Sequence, residues 1–182
     1  MTIARTTLVI GMASLLAGCV NSSSETVLRM PADLAKNGKV ASITVKDVPA
    51  NTSPEFRSKM ETQLREATNL CATGNIPLDL EVSVTDFKGN NAAKTILIGD
   101  SNNIKGQAKL RRAGDSEVVG DFDISRSVGG GGIAGAVIMS NAEDQTASGF
   151  ATEICQKAFR PLPRTRTARP ANKPRRDSST SE

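Results

Sequence analysis

Leu78, Leu80, Val82 and Val84 alternate with Asp79, Glu81, Ser83 and Thr85, the strongest period-two pattern in the chain. Side chains on a strand point to opposite faces in turn, so this stretch predicts a strand over 78–87, buried on one face and wet on the other. Ile43 and Val45 among Ser42, Thr44 and Lys46 predict an earlier strand near 40–48, closed by Pro49. Ile104, Ala108 and Leu110 oppose Lys105, Lys109 and Arg111. After the turn residues Ala113-Gly114-Asp115-Ser116, Val118, Phe122 and Ile124 oppose Asp121 and Asp123. Those two runs are expected to form a hairpin. Thr95-Ile96-Leu97-Ile98 reads either as a brief strand or as a packed loop.

The period lengthens to three or four residues in two places. Phe56, Met60, Leu64, Ala67 and Cys71 lie on one helical stripe. Ser53-Pro54-Glu55 before it reads as an N-cap, a first-turn proline and an early carboxylate, and Gly74 as its end. Phe150, Ile154 and Ala158 recur every four residues behind the capping-box spacing of Ser140 and Glu143, so a second helix is expected over about 141–159. The order β-α-β-β-β-α predicts an α/β two-layer sandwich over 40–159. Its mainly antiparallel four-stranded sheet carries two helices on one face and charge on the other. No firm element is expected before Val40.

Ahead of that domain, Arg5 precedes an apolar run from Leu8 to Leu16, followed by the small residues Ala17 and Gly18 and then Cys19. Thr6 to Gly18 is 13 residues, short of the roughly 20 that a spanning helix needs. Residues 1–18 therefore read as a signal peptide. Leu15-Leu16-Ala17-Gly18-Cys19 resembles the bacterial lipobox. That resemblance implies cleavage before Cys19, a thioether-linked diacylglycerol on its sulfur and a third acyl chain, such as palmitate, on the new amino terminus. The alternative is an ordinary secretory leader with an incidental cysteine. One acyl chain holds a protein reversibly and two or more hold it stably. Aspartate after the lipidated cysteine favours inner-membrane retention, and this chain has Val20. The expected address is the outer membrane of the cell envelope, lipid-anchored and facing the periplasm. Residues 19–39, with Asn21-Ser22-Ser23-Ser24-Glu25, read as the lipidated terminus and a flexible spacer.

Charge is uneven along the chain. Residues 19–159 hold 15 Lys/Arg against 17 Asp/Glu, and 160–182 hold 7 against 2. The basic tail interleaves Arg164, Arg166, Arg169, Lys173, Arg175 and Arg176 with prolines and offers almost no apolar surface, so 160–182 is expected to be disordered. Its partner is either an anionic envelope lipid or polymer or nothing fixed. The leader argues against nucleic acid. Five Phe and no Tyr or Trp leave the core to Val, Ile, Leu and Ala.

Histidine is absent from the sequence, which removes the commonest general base and excludes serine–histidine and cysteine–histidine nucleophile systems. No cofactor or metal is expected, and no catalytic residue is assigned. Cys71 and Cys155 lie at or beside the apolar stripes of two helices expected to be neighbours, and an oxidising periplasm permits their pairing. A disulfide is expected, with two buried free thiols as the alternative. Asp79, Glu81, Asp121 and Asp123 near Lys105, Lys109 and Arg111 read as cross-strand ion pairs rather than acid–base machinery. Gly129 to Gly132 read as a flexible connector. The apolar run after them either packs in the core or exposes Ile133, Val137, Ile138 and Met139 as a contact surface for envelope proteins, a second copy or the bilayer.

The lipobox, the strand leading into an N-capped helix, the Leu-Asp-Leu-Glu-Val strand, Gly89-Asn90-Asn91-Ala92-Ala93, Ile98-Gly99-Asp100 and the later glycine-rich turn together resemble bacterial envelope lipoproteins of unknown function. The outline of residues 40–159 is also similar to the amino-terminal domain of TolB and to CsgG-like secretion lipoproteins. The resemblance implies a small α/β sandwich with a non-enzymatic, structural or adaptor role in envelope assembly or secretion. It carries over no functional residue beyond Cys19. The alternative is a module that binds an envelope glycan or lipid on its open sheet face or glycine-rich loop.

Overall fold

A computed structural model of the chain describes residues 20–89, 100–130 and 141–159. In chain order they form β1 (Val20–Ser22), β2 (Glu25–Leu28), α1 (Ala32–Asn37), β3 (Gly38–Asp47), α2 (Phe56–Cys71), β4 (Ile76–Lys88), β5 (Asp100–Arg112), β6 (Val118–Gly130) and α3 (Ala142–Ala158). The sheet runs β1-β6-β5-β4-β3, with β2 also paired to β6. β3 and β4 are parallel and joined through α2, whereas β4, β5 and β6 form an antiparallel meander. The α/β layering matches the expectation. Among the described residues the sheet has six strands rather than four, and there are three helices rather than two.

The additional elements all lie before Val40, where the sequence has no amphipathic period. β1 and β2 form because β6 would otherwise present an open edge of unpaired backbone groups. Val20, Asn21 and Ser22 pair with Val128, Ser127 and Arg126, and Glu25 with Asp123. The serine run that reads as a spacer bridges the two short strands. The Ser23 N–H donates to the Ser125 carbonyl at 3.1 Å, and the Ser24 hydroxyl accepts from the Ser125 N–H at 3.2 Å. A serine side chain thus replaces part of the backbone ladder. Met30 and Leu34 then close the core at that end, with Leu34 1% exposed.

The period-two reading of β4 corresponds to burial of Leu78, Leu80, Val82 and Val84. A bulge between Val84 and Asp86 shifts the phase, so that Phe87 turns inward and meets Phe56 at a ring-centroid distance of 5.4 Å. On α2 the stripe Phe56, Met60 and Leu64 is fully buried, and on α3 Phe150 and Ile154 are. Gly114, at φ +78°, makes the expected turn between β5 and β6. Gly74 lies past the end of α2 and passes so close to Asn37 that a Cβ there would overlap its backbone. Gly129 and Gly130 are the last residues of β6, opposite Ser101 and Asp100, which corrects their reading as loop. Once β5 supplies partners, extended glycine is paired like any other residue.

Cys71 and Cys155 are joined by a disulfide, with Cα atoms 5.7 Å apart, linking the end of α2 to the last turns of α3. Residues 1–19, the Thr95–Ile98 stretch, Ile133–Met139 and 160–182 lie outside the described residues.

Candidate functional site

The open face of the sheet carries the charged residues that the strand period assigns to it. Register places Asp79 opposite Arg111, Glu81 opposite Lys109, Lys109 opposite Asp121 and Gln107 opposite Asp123. The expected β4–β5 and β5–β6 ion pairs do not close, however. Glu81 turns to Lys46 on β3 at 2.7 Å, Asp79 accepts from the Ser42 hydroxyl, and Arg111 donates to the Ser116 carbonyl. β3, a predicted strand whose parallel pairing with the far side of β4 the sequence did not assign, competes for the β4 carboxylates. One Asp121 oxygen is left buried without a hydrogen-bond partner among the described residues.

At the β6 side of this face, Ser23, Glu25, Thr85, Lys105, Gln107 and Asp123 line a shallow cavity of about 380 Å³. Its hydroxyl, amide, ammonium and carboxylate groups make it the polar concavity of the open face. A second cavity, of about 620 Å³, lies where β2, α1 and the end of α3 meet. Met30, Ala158 and Phe159 form its apolar floor, and Arg29, Lys36 and Lys157 are the charged residues lining it.

Between the helices, the expected Ser53 cap gives way to a cross-brace, while Ser140, the other expected cap, lies outside the described residues. α2 begins at Phe56 and α3 at Ala142, and neither has a side-chain cap. The Glu143 carboxylate instead reaches across to the start of α2. It accepts from the Ser53 N–H at 2.7 Å and the Ser53 hydroxyl at 2.6 Å, with Lys59 at 3.3 Å. Two orphan groups near one helix start are better satisfied by a carboxylate from the other than each locally. Burial pulls the Glu143 carboxyl up, but the Ser53 hydroxyl, the Ser53 amide and the Lys59 ammonium together hold it below its ordinary value of 4.5. A carboxyl lowered in the folded state stabilises the fold above its unfolded value and loses that contribution as pH falls through the lower folded one. Glu143→Ala is therefore expected to cost about 1–3 kcal/mol at neutral pH by stripping the Ser53 donors of their acceptor. Urea titrations should show the gap between parent and variant narrowing below pH 4.5; a gap constant down to strongly acid pH would refute the brace.

A second buried contact joins β6 to α3. Arg126 continues the inward phase of Phe122 and Ile124. Its Nη1 lies 3.2 Å from the Gly149 carbonyl and 3.5 Å from Glu153, while Nε has no partner among the described residues. Arg126 is 17% and Glu153 6% exposed. A Cβ at Gly149 would come within 2.6 Å of the Arg126 Nε, so glycine makes the room. The sequence reading missed this pair. The signal was an arginine two residues beyond Ile124 on the buried phase of the strand.

Among the described residues, no group of three or more Cys, Asp or Glu is placed to hold a metal ion. No helix among them is long and apolar enough to cross a membrane.

No known protein family and no curated protein matches this chain. Solved structures similar to it include a PelC dodecamer from Paraburkholderia phytofirmans, at 12% identity and TM-score 0.48, covering 78% of this chain and 99% of that one. A single-residue variant of the same dodecamer gives 12% identity and TM-score 0.49, covering 78% and 98%. A protein of Caulobacter crescentus CB15 designated a candidate lipoprotein gives 15% and 0.43, covering 62% and 84%. These are similarities of outline at low identity, and function has to be argued from this chain's own residues.

Proposed function

We propose that this chain is a lipoprotein of the bacterial envelope, cleaved before Cys19 and held by acyl chains in the outer membrane. Its α/β domain faces the periplasm as a non-enzymatic structural or adaptor part of envelope assembly or secretion. The observation that carries this reading is Leu15-Leu16-Ala17-Gly18-Cys19 behind a short apolar leader. The fold adds a constraint, because Val20, one residue later, is already the first residue of the sheet. A lipid on Cys19 would hold the domain against the bilayer rather than on a long leash.

Pairing of Val20 with Val128, and of Asp100 with Gly130, puts the chain's arrival from Cys19 at the end of the sheet where β6 finishes. Ile133, Val137, Ile138 and Met139 follow β6 in sequence, and we assign the partner contact to them. Cys19→Ser is expected to leave an unacylated protein that no longer sediments with membranes, whereas the parent yields a mature mass beginning at a triacylated Cys19. Recovery of the native chain from cytosol, still starting at Met1, would end the proposal.

The polar cavity around Lys105 and Gln107 favours a second reading, a binding module for an envelope glycan. Saturable binding of purified peptidoglycan fragments by the full chain, abolished by Lys105→Glu and retained without residues 160–182, would favour that reading over the adaptor. Binding lost only on tail deletion would assign it to Arg164, Arg166, Arg169, Lys173, Arg175 and Arg176.

A further inference from the structure

We infer that the β1–β2 edge is a bilayer-docking face, so that the domain lies along the membrane on this edge instead of standing on its Cys19 end. The inference rests on the lipid anchor proposed above and adds an orientation to it. Val20 to Leu28 runs the length of one sheet edge, roughly 25–30 Å at the rise of a strand. The anchor enters at one end of that line.

At the other end, β2 turns two consecutive apolar side chains outward. Thr26 pairs with Phe122 and Leu28 with Asp121, so β2 advances two residues while β6 advances one, and Val27 is the extra residue. In a regular strand, neighbouring side chains would face opposite ways; the bulge removes that constraint. Val27 is 59% and Leu28 43% exposed. Among the described residues the only comparably exposed large hydrophobic residue is Leu70, at the end of α2.

Cations lie on the α1 side of this pair. Arg29 follows it directly, and Lys36 and Lys157 share the adjoining cavity, whose lining contains no carboxylate. Lys157 donates to the Ser24 carbonyl at 2.8 Å, which ties the end of α3 to the β1–β2 junction. Arg29 and Lys36 make no ion pair among the described residues. Of the nearby acids, Asp33 accepts from the Asn37 amide at 2.7 Å, Glu25 lines the cavity of the open face, and Asp121 stands opposite Leu28 on β6. An exposed apolar pair followed by Arg29, with Lys36 and Lys157 lining the adjoining cavity, on the strand that leads from an acylated residue, is complementary to an anionic lipid surface. A weak contact is enough there, because the anchor keeps the bilayer at high effective concentration.

The absence of Trp and Tyr from the sequence allows a direct test, since one introduced tryptophan reports without background. The acylated full-length protein carrying Val27→Trp is reconstituted in phosphatidylethanolamine vesicles with about one quarter phosphatidylglycerol, to give an anionic surface. Mass spectrometry verifies the acylation. The expected result is blue-shifted emission, quenched by lipids brominated in the acyl chain, while Leu70→Trp in the same vesicles stays unquenched. Adding Arg29→Glu and Lys36→Glu to Val27→Trp should weaken the contact by more than tenfold, on the basis of about fivefold per cation removed. Val27→Trp as unquenched as Leu70→Trp, in verified acylated protein, would overturn the docking and leave the anchor standing. Quenching indifferent to the two charge reversals would also overturn it, because the tryptophan alone would then make the contact. Protein shown by mass to lack acyl chains would remove the anchor and this orientation with it.

Discussion

Replacing both Cys71 and Cys155 by alanine is expected to destabilise the domain by about 4.5 kcal/mol, the amount that the chain-entropy model assigns to closing a loop of this size. The crosslink joins residues 84 apart in sequence, and that span contains β4, β5 and β6. Without it the unfolded chain regains the freedom to separate the two helices. The folded state loses little, because α2 and α3 still share one core, in which Met60, Leu64, Ala147 and Ala151 are buried. For a domain of this size, such a loss lowers the melting temperature by roughly 10–20 °C. Thermal and urea unfolding of the double variant would measure it, with the reduced parent as the matched control. A difference below about 1 kcal/mol would mean that the unfolded chain is already compact enough to make the link redundant.

The second large effect is expected at Arg126 and Glu153. Glu153→Ala should cost about 3–5 kcal/mol, since it leaves a guanidinium under α3 with the Gly149 carbonyl as its remaining partner among the described residues. The pair itself is not expected to be strongly stabilising. Its single contact is long, at 3.5 Å, and the Arg126 Nε has no partner among the described residues, so attraction offsets little of the desolvation of two charges. Arg126→Leu combined with Glu153→Leu is therefore expected to be neutral or stabilising by about 1–4 kcal/mol. A double-mutant cycle by urea denaturation separates these terms. If the double variant were as unstable as Glu153→Ala, the charges would be contributing through geometry beyond their mutual contact. In that case the arginine's packing against Gly149 would be the term to pursue.

Period-two and period-3.6 patterns in the sequence were enough to place β3 to β6, both long helices and their buried faces. Leu78 to Val84 illustrates why. Alternation is a property of the strand backbone itself, so any packing that buries one face of such a run must bury those four residues. The cysteine pair was legible for a related reason, because two stripes that must both face the sheet leave little choice about which helices are neighbours.

What escaped the sequence reading shares the opposite character. Val20 to Leu28 has no amphipathic signal; it is strand because β6 offers it an edge, and Ser24 shows how far that borrowing goes. Ser53 and Glu143 each read as components of a local cap, yet they satisfy each other across 90 residues. Glu81 lines up with Lys109 in register but bonds to Lys46, since the parallel pairing of β3 with β4 brings a closer cation.

The sequence by itself determined the α/β class and most of the core, because each depends on spacing within a few residues; the lipid anchor that we propose at Cys19 likewise rests on local sequence alone. The tertiary structure alone decided which polar group meets which, how the residues after Cys19 join the sheet, and which apolar side chains remain outside. Those outcomes are competitions among distant donors, acceptors and edges, and a competition is settled only when all the competitors are in place.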